Sequence, residues 1–170
     1  MIIIRTETEQ DFPAIRRVNK LAFERDNEAD LVDALRETCP DLLSLVAEED
    51  GVIVGHIVFS PAHIEGKSET INGMALAPMA VLPERHKEGI GSALVREGIS
   101  WLESPSCPFI IVLGHPEYYP RFGFRPALKS GVVSQWPGLP DEVFMLLTLD
   151  HEQMSGFTGT AWYQPQFVLD

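Results

Sequence analysis

The chain has 170 residues, 45% of them hydrophobic and 22% charged, which suits one globular domain with a sizeable core. Its formal net charge is −12, from 25 acidic and 13 basic residues. That balance argues against nucleic acid as a partner, because binding a phosphate backbone needs clustered Lys and Arg; it serves solubility first and favours cationic or amine-bearing small molecules second.

Ile2-Ile3-Ile4-Arg5 reads as an opening strand. Its apolar run is too short for a signal peptide and no later run could span a bilayer, so a cytoplasmic location with no membrane partner is expected. Thr8 and Asp11 have the spacing of a helix-capping pair, and Pro13 suits a first helical turn, where its missing N–H costs little. Ile15, Val18, Leu21 and Ala22 then recur at helical spacing. A second helix over Glu28–Arg36 places Leu31, Val32 and Leu35 on one face and is stopped by Pro40. Cys39 and Cys107 each precede a proline and show no ligand spacing; they read as reduced thiols, and no metal is expected.

Leu43–Glu48 and Val52–Phe59 read as strands joined through Asp50-Gly51, a strong hairpin signal. Gly66-Lys67-Ser68 marks another turn, and Ile71–Leu82 a third antiparallel strand. Pro78 interrupts it; proline cannot donate to a ladder, so a bulge is expected there. A helix runs from Gly89 to about Glu103, burying Ile90, Leu94, Val95 and Ile99. Phe109–Gly114 is a continuous apolar strand, buried on both faces. Pro116 to Phe124 forms a short helical turn ended at Gly123, Ala127 to Pro140 a Gly- and Pro-rich loop, and Val143–Leu149 a strand. Thr158–Val168 is a last extended stretch broken by Pro165. The order gives a single α/β domain over residues 1–170 with a mixed sheet.

The segment Met79-Ala80-Val81-Leu82-Pro83-Glu84-Arg85-His86-Lys87-Glu88-Gly89-Ile90-Gly91-Ser92 carries the chemistry. A strand, a charged loop and two glycines opening a helix set backbone N–H groups at a helix N-terminus, where an anion such as pyrophosphate is favoured. The glycines let backbone approach the anion closely. A P-loop is excluded because no Gly-Lys-Ser or Gly-Lys-Thr stands at the required spacing. A dinucleotide fingerprint is disfavoured because Leu94 holds the place of its third glycine and antiparallel strands come first.

His86-Lys87-Glu88-Gly89-Ile90-Gly91 resembles the [Q/R]xxGx[G/A] motif of the GCN5-related N-acetyltransferase (GNAT) superfamily. Tyr119-Pro120-Arg121-Phe122-Gly123-Phe124 is similar to that family's YxxxGF element. The stretches Leu76–Pro83 and Leu113–Tyr119 resemble a bacterial subgroup of small acetyltransferases. The resemblance covers nearly the whole chain and implies a mixed, mostly antiparallel sheet of about seven strands flanked by helices, with strands four and five splayed. It implies acetyl-CoA as co-substrate, with pyrophosphate on the loop from His86 through Lys87, Glu88, Gly89 and Ile90 to Gly91 and Ser92. Pantetheine would lie along Met79, Ala80 and Val81. Two departures stand out: His86 replaces Gln or Arg, and the usual Asn after the fifth strand is absent, with His115 in the shorter loop.

The implied reaction is attack of a primary amine, on a small molecule or a protein, at the thioester carbonyl. The Met79 N–H would hold the oxyanion and Tyr119 would protonate the departing thiolate, while Tyr118 falls at an apolar position of the family. The family does not fix the general base; Glu24, Glu28, His56, His63 and His115 are candidates, His115 standing beside the splay. Trp136, Phe157, Trp162 and Tyr163 come late in the chain, where aromatic core packing, an acceptor wall or a homodimer contact would each explain them. The alternative to an enzyme is a silent acyl-CoA-binding sensor.

Overall fold

Asp50 and Gly51 both adopt left-handed backbone (φ 51° and 79°), the geometry a tight hairpin demands, and so close β2 (Leu43–Glu49) onto β3 (Val52–Glu65). A computed structural model describes residues 1–103 and 107–169 of the chain. It opens with β1 (Ile3–Thr6), paired antiparallel with β2. The Thr8 N–H donates to the Asp11 carboxylate at 2.8 Å, as the capping spacing requires, and α1 (Phe12–Phe23) follows with Pro13 in its first turn. The second helix, α2 (Asn27–Thr38), ends just before Cys39-Pro40. After β3 come β4 (Thr70–Val81), α3 (Ile90–Glu103) and β5 (Phe109–Leu113).

Beyond β5 the chain forms β6 (Arg125–Pro126), β7 (Val132–Ser134), β8 (Phe144–Thr148), α4 (His151–Met154) and β9 (Gly159–Trp162). Among the described residues the hydrogen-bonded order is β1-β2-β3-β4-β5-β8-β6, seven strands, with β9 joined to β3 and β7 to β9. The pairs β1–β2, β2–β3, β5–β8 and β6–β8 are antiparallel. The parallel pair β4–β5 meets at two register positions only, Met74 with Ile110 and Ala75 with Ile111. The two strands are therefore joined at one end and splay beyond it. Pro78 lies inside β4, after a cis Ala77–Pro78 bond.

Three expectations are corrected. The segment expected as a loop, Ala127 to Pro140, holds β7, which finds its partner in β9, far along the chain. The second strand of the hairpin does not stop at Phe59 but runs to Glu65, because β9 pairs with its last three residues. The final extended stretch is confined to Gly159–Trp162, and α4, capped by Asp150 through the Gln153 N–H (3.0 Å), had not been anticipated.

Two compact units share these elements, the first comprising Met1–Phe59 with Ala77–Ser100, the second Ser60–Leu76 with the chain from Trp101 onward. In the first, Ile15, Val18, Val32, Leu35, Leu45, Ile57 and Leu94 are fully or almost fully buried. Gly55 lets Ile90 and Leu94 of α3 approach β3 closely: a Cβ there would lie 3.0 and 3.1 Å from their side chains. In the second, Ile64, Ala75, Phe109, Ile111, Phe144, Leu146 and Tyr163 belong to one buried cluster. No described helix is long and apolar enough to cross a membrane.

Candidate active site

The glycine loop belongs to the first unit. Met79 and Val81 are half-buried and Ala80 is buried, the alternation of a strand. The Leu82 N–H donates to the Val54 carbonyl at 2.9 Å and ties the end of β4 to β3. A turn of 3-10 helix at Pro83–Arg85 then delivers His86. Lys87 and Gly89 take left-handed backbone (φ 68° and 85°), and a Cβ on Gly89 would meet nothing within 4 Å, so that face of the loop is open. The Ala93 N–H donates to the Gly89 carbonyl at 3.0 Å, which leaves the amides of Ile90 and Gly91 ahead of this bond. The positive end of a 14-residue helix stands there, a setting suited to a phosphate oxygen.

The loop's cations are not equivalent. Arg85 is held by Glu49 at 2.7 Å and Glu88 at 3.0 Å, so its charge is already matched. His86 Nε2 lies 2.9 Å from the Val81 carbonyl oxygen. A carbonyl only accepts, so Nε2 carries the proton and donates, turning the ring back onto β4. Lys87 is exposed.

Tyr119 and His115 belong to the second unit. The His115 carbonyl accepts from the Tyr118 and Tyr119 N–H groups at 3.1 and 3.4 Å, which starts the turn Tyr119–Phe122, while the His115 side chain is exposed. Gly123, at φ 101°, ends the turn as its sequence position required. Tyr119 is 8% exposed, edge-on to Tyr118 (5.0 Å) and Phe124 (5.7 Å). Burial pushes its hydroxyl well above the ordinary range, with the Tyr118 charge a smaller contribution, so it stays protonated at neutral and alkaline pH. Tyr163, also buried, is raised for the same reason, with Tyr119 as the second cause, and its hydroxyl has no hydrogen-bond partner among the described residues.

The remaining base candidates separate by environment. Glu28 is paired with Arg25 at 2.6 Å, Glu24 is exposed at the end of α1 with φ 56°, and His63 lies on β3 opposite Trp162. His56 is fully buried. Its Nε2 is 2.8 Å from Ser44 Oγ and its Nδ1 is 3.2 Å from Asn19 Nδ2. The same Asn19 nitrogen donates to the Ile15 carbonyl at 3.0 Å, which fixes the amide orientation. The amide therefore donates to Nδ1, the proton sits on Nε2, and the Ser44 hydroxyl donates its own hydrogen bond to the Glu7 carboxylate at 2.5 Å. Ser44 and His56 have the spacing of a nucleophile and its base but the wrong tautomer for that chemistry.

Burial above all lowers the His56 pKa to about 4, with Glu7 opposing and the Arg36 charge adding a smaller push in the same direction as burial. It is neutral at pH 7 and serves the core, not the reaction. For Glu7 burial acts upward, but hydrogen bonds from Arg36 and Ser44 outweigh it and hold the carboxyl below its usual range. Asn19 and Glu7 were absent from the sequence expectations. A signal existed: Asn19 breaks the apolar face of α1 just as His56 breaks an apolar strand.

Both cysteines are free thiols. Burial raises the Cys107 pKa, and its Sγ donates to the Phe109 carbonyl at 3.1 Å, the opposite of an activated thiolate. Among the described residues no three His, Cys, Asp or Glu side chains are grouped to hold a metal ion.

Comparison with known proteins places this geometry in a family. The model of the Acetyltransferase (GNAT) family matches residues 8–124. YhbS, an uncharacterized N-acetyltransferase of Escherichia coli, is 34% identical over 98% of both chains. YjhQ, another from that organism, is 42% identical over 78% of this chain and 74% of its own. The crystal structure of YhbS in complex with CoA matches with a TM-score of 0.89 at 33% identity, covering 98% of this chain and 91% of that one. A GNAT family acetyltransferase from Brucella melitensis, in complex with acetyl-CoA, matches at 0.78 with 36% identity over 99% of both chains. With likeness of this extent in sequence and in fold, the chain belongs to the GNAT family of acetyltransferases.

Proposed function

We propose that this acetyl-CoA-dependent N-acyltransferase works by direct attack of a neutral primary amine on the thioester carbonyl. The amine nitrogen forms a bond to the carbonyl carbon, the oxyanion collapses, and the carbon–sulfur bond breaks to release CoA. One proton passes in net from nitrogen to sulfur. The observation that carries the donor assignment is the pair of relatives holding CoA and acetyl-CoA, matched over almost the whole chain. The open left-handed loop at Gly89 supports it, since backbone amides there can face a pyrophosphate.

In this reading the amides from His86 to Ser92 hold the pyrophosphate, and Met79, Ala80 and Val81 align the pantetheine. The Met79 N–H holds the oxyanion, a contribution of roughly 2.7–4 kcal/mol for one such donor. Tyr119, kept protonated by burial, donates to the sulfur as negative charge builds there. His115, exposed four residues earlier, takes the amine proton and passes it to water. The free thiols fit action in the cytoplasm.

Titration calorimetry with acetyl-CoA, followed by thiol release with a panel of amines, tests this. Saturable binding and amine-dependent release are expected, with Tyr119→Phe lowering kcat by roughly 10²–10⁴. Binding without turnover on any amine would make the chain a sensor of acyl-CoA. No binding of CoA would remove the loop assignment.

A further inference from the structure

His86 stands on an exposed loop, yet its ring is committed to one backbone atom of β4. The Val81–Leu82 peptide is trans, so its carbonyl and its N–H point in opposite directions. The N–H donates to the Val54 carbonyl of β3 at 2.9 Å. The Val81 carbonyl therefore faces the edge of β4 turned away from β3, the edge on which a further extended chain could pair. His86 Nε2 donates to that oxygen at 2.9 Å.

Two ties hold this loop, and they differ in what they reach. Arg85 pairs with Glu49, at the end of β2, and with Glu88 within the loop. His86 reaches β4 itself, after the 3-10 turn at Pro83–Arg85 has brought the chain back. The left-handed residues Lys87 and Gly89 follow it and lead into α3. All of these residues belong to the first unit. With its Nε2 proton engaged by a carbonyl, the ring gives the loop position rather than charge.

We propose that His86 is a positioning residue: its bond to Val81 fixes the spacing between the strand that aligns the pantetheine and the amides that hold the pyrophosphate. The inference rests on the coenzyme A reading given above. The two halves of one cofactor bind as a linked pair, and linkage adds affinity only where the two subsites stand at the spacing of the ligand. Without the bond each subsite keeps its own groups, because the edge of β4 and the amides at the start of α3 are main-chain features. Their spacing, however, must then be re-established at each binding event. The ring is exposed, so removing it opens no cavity in the core. A glutamine at this position carries an amide N–H able to make the same bond, whereas alanine carries none.

The test measures the calorimetric affinity of the full chain for CoA and for 3′-phosphoadenosine 5′-diphosphate, which has the pyrophosphate and lacks the pantetheine. His86→Ala is expected to weaken CoA about tenfold and to leave the fragment within about twofold of wild type, at unchanged Tm. His86→Gln should restore the affinity for CoA. Equal weakening of CoA and fragment would make the ring a direct pyrophosphate contact and overturn the proposal, as would an unaltered CoA affinity in His86→Ala. Both outcomes leave the coenzyme A reading standing. If neither probe binds the wild-type chain, that reading fails and the role of His86 fails with it.

Discussion

Gly114 and Tyr119 interlock: the ring covers the glycine, and a Cβ at residue 114 would fall 2.4 Å from Cε2 and 3.0 Å from Cδ2. Gly114→Ala must therefore push the ring aside, since no Cβ tolerates such a contact. Overpacking of this kind costs about 1–3 kcal/mol. The expected result is a lower Tm together with a kcat loss approaching that of Tyr119→Phe, while calorimetric affinity for CoA is kept. Wild-type kcat in this variant would detach Tyr119 from the reaction.

His56 should make the fold acid-sensitive. Its folded pKa of about 4 lies below the ordinary 6.5, chiefly because burial penalises the charged ring. Between those values the unfolded chain binds a proton that the folded chain refuses. The stabilisation is thus complete above pH 6.5 and is lost as pH falls toward 4, by about 3 kcal/mol from this group. Glu7, held below its usual range, extends the loss at lower pH. Denaturant titrations between pH 7.5 and 5 should show this slope in the wild type and a flatter one in His56→Gln; equal slopes would assign the acid sensitivity elsewhere.

Gly98 decides how α3 meets β3. A Cβ there would lie 2.1 Å from Phe59 Cε1 and 2.3 Å from Cζ, and Phe59 is fully buried. Alanine favours a helix over glycine by about 1 kcal/mol, but the ring has nowhere to go and overpacking costs about 1–3 kcal/mol. The second effect wins. Gly98→Ala should lower Tm despite its better helix propensity, and a raised Tm would show that the Phe59 ring shifts freely.

The Tyr163 hydroxyl is buried without a hydrogen-bond partner among the described residues. Removing such an atom takes away a desolvation cost of roughly 1–3 kcal/mol and leaves the ring contacts with Trp136 and Phe167 intact. Tyr163→Phe is expected to hold or raise the unfolding free energy. A loss above about 1 kcal/mol would mean that a bound water satisfies the hydroxyl.

Much of this was legible in the residues themselves. Asp50-Gly51, Pro13, Gly123 and the apolar spacing of α3 are local signals, and each element they mark formed. The backbone course of the glycine loop and of the turn at Tyr119 was legible for the same reason: each is set by one neighbouring strand or helix. What escaped depends on partners far along the chain. The three residues of β7 carry little signal until β9 pairs with them, and β3 continues past Pro61 because that same strand covers its end. The Glu7–Ser44–His56–Asn19 network joins α1, β2, β3 and the loop after β1, so no window of sequence contains it. β7 itself lies in the stretch that Gly and Pro made look structureless.

Because Glu49 and Glu88 already neutralise Arg85, the loop proposed to hold the pyrophosphate keeps little beyond Lys87 with which to pull an anion from a distance. Backbone dipoles act at contact and fade quickly beyond it, whereas the −12 of the whole chain is felt a Debye length away. A polyanionic cofactor therefore approaches against repulsion and is recognised only on arrival. Its capture should quicken as added salt screens the surface, while its departure, governed by short-range contacts, scarcely changes.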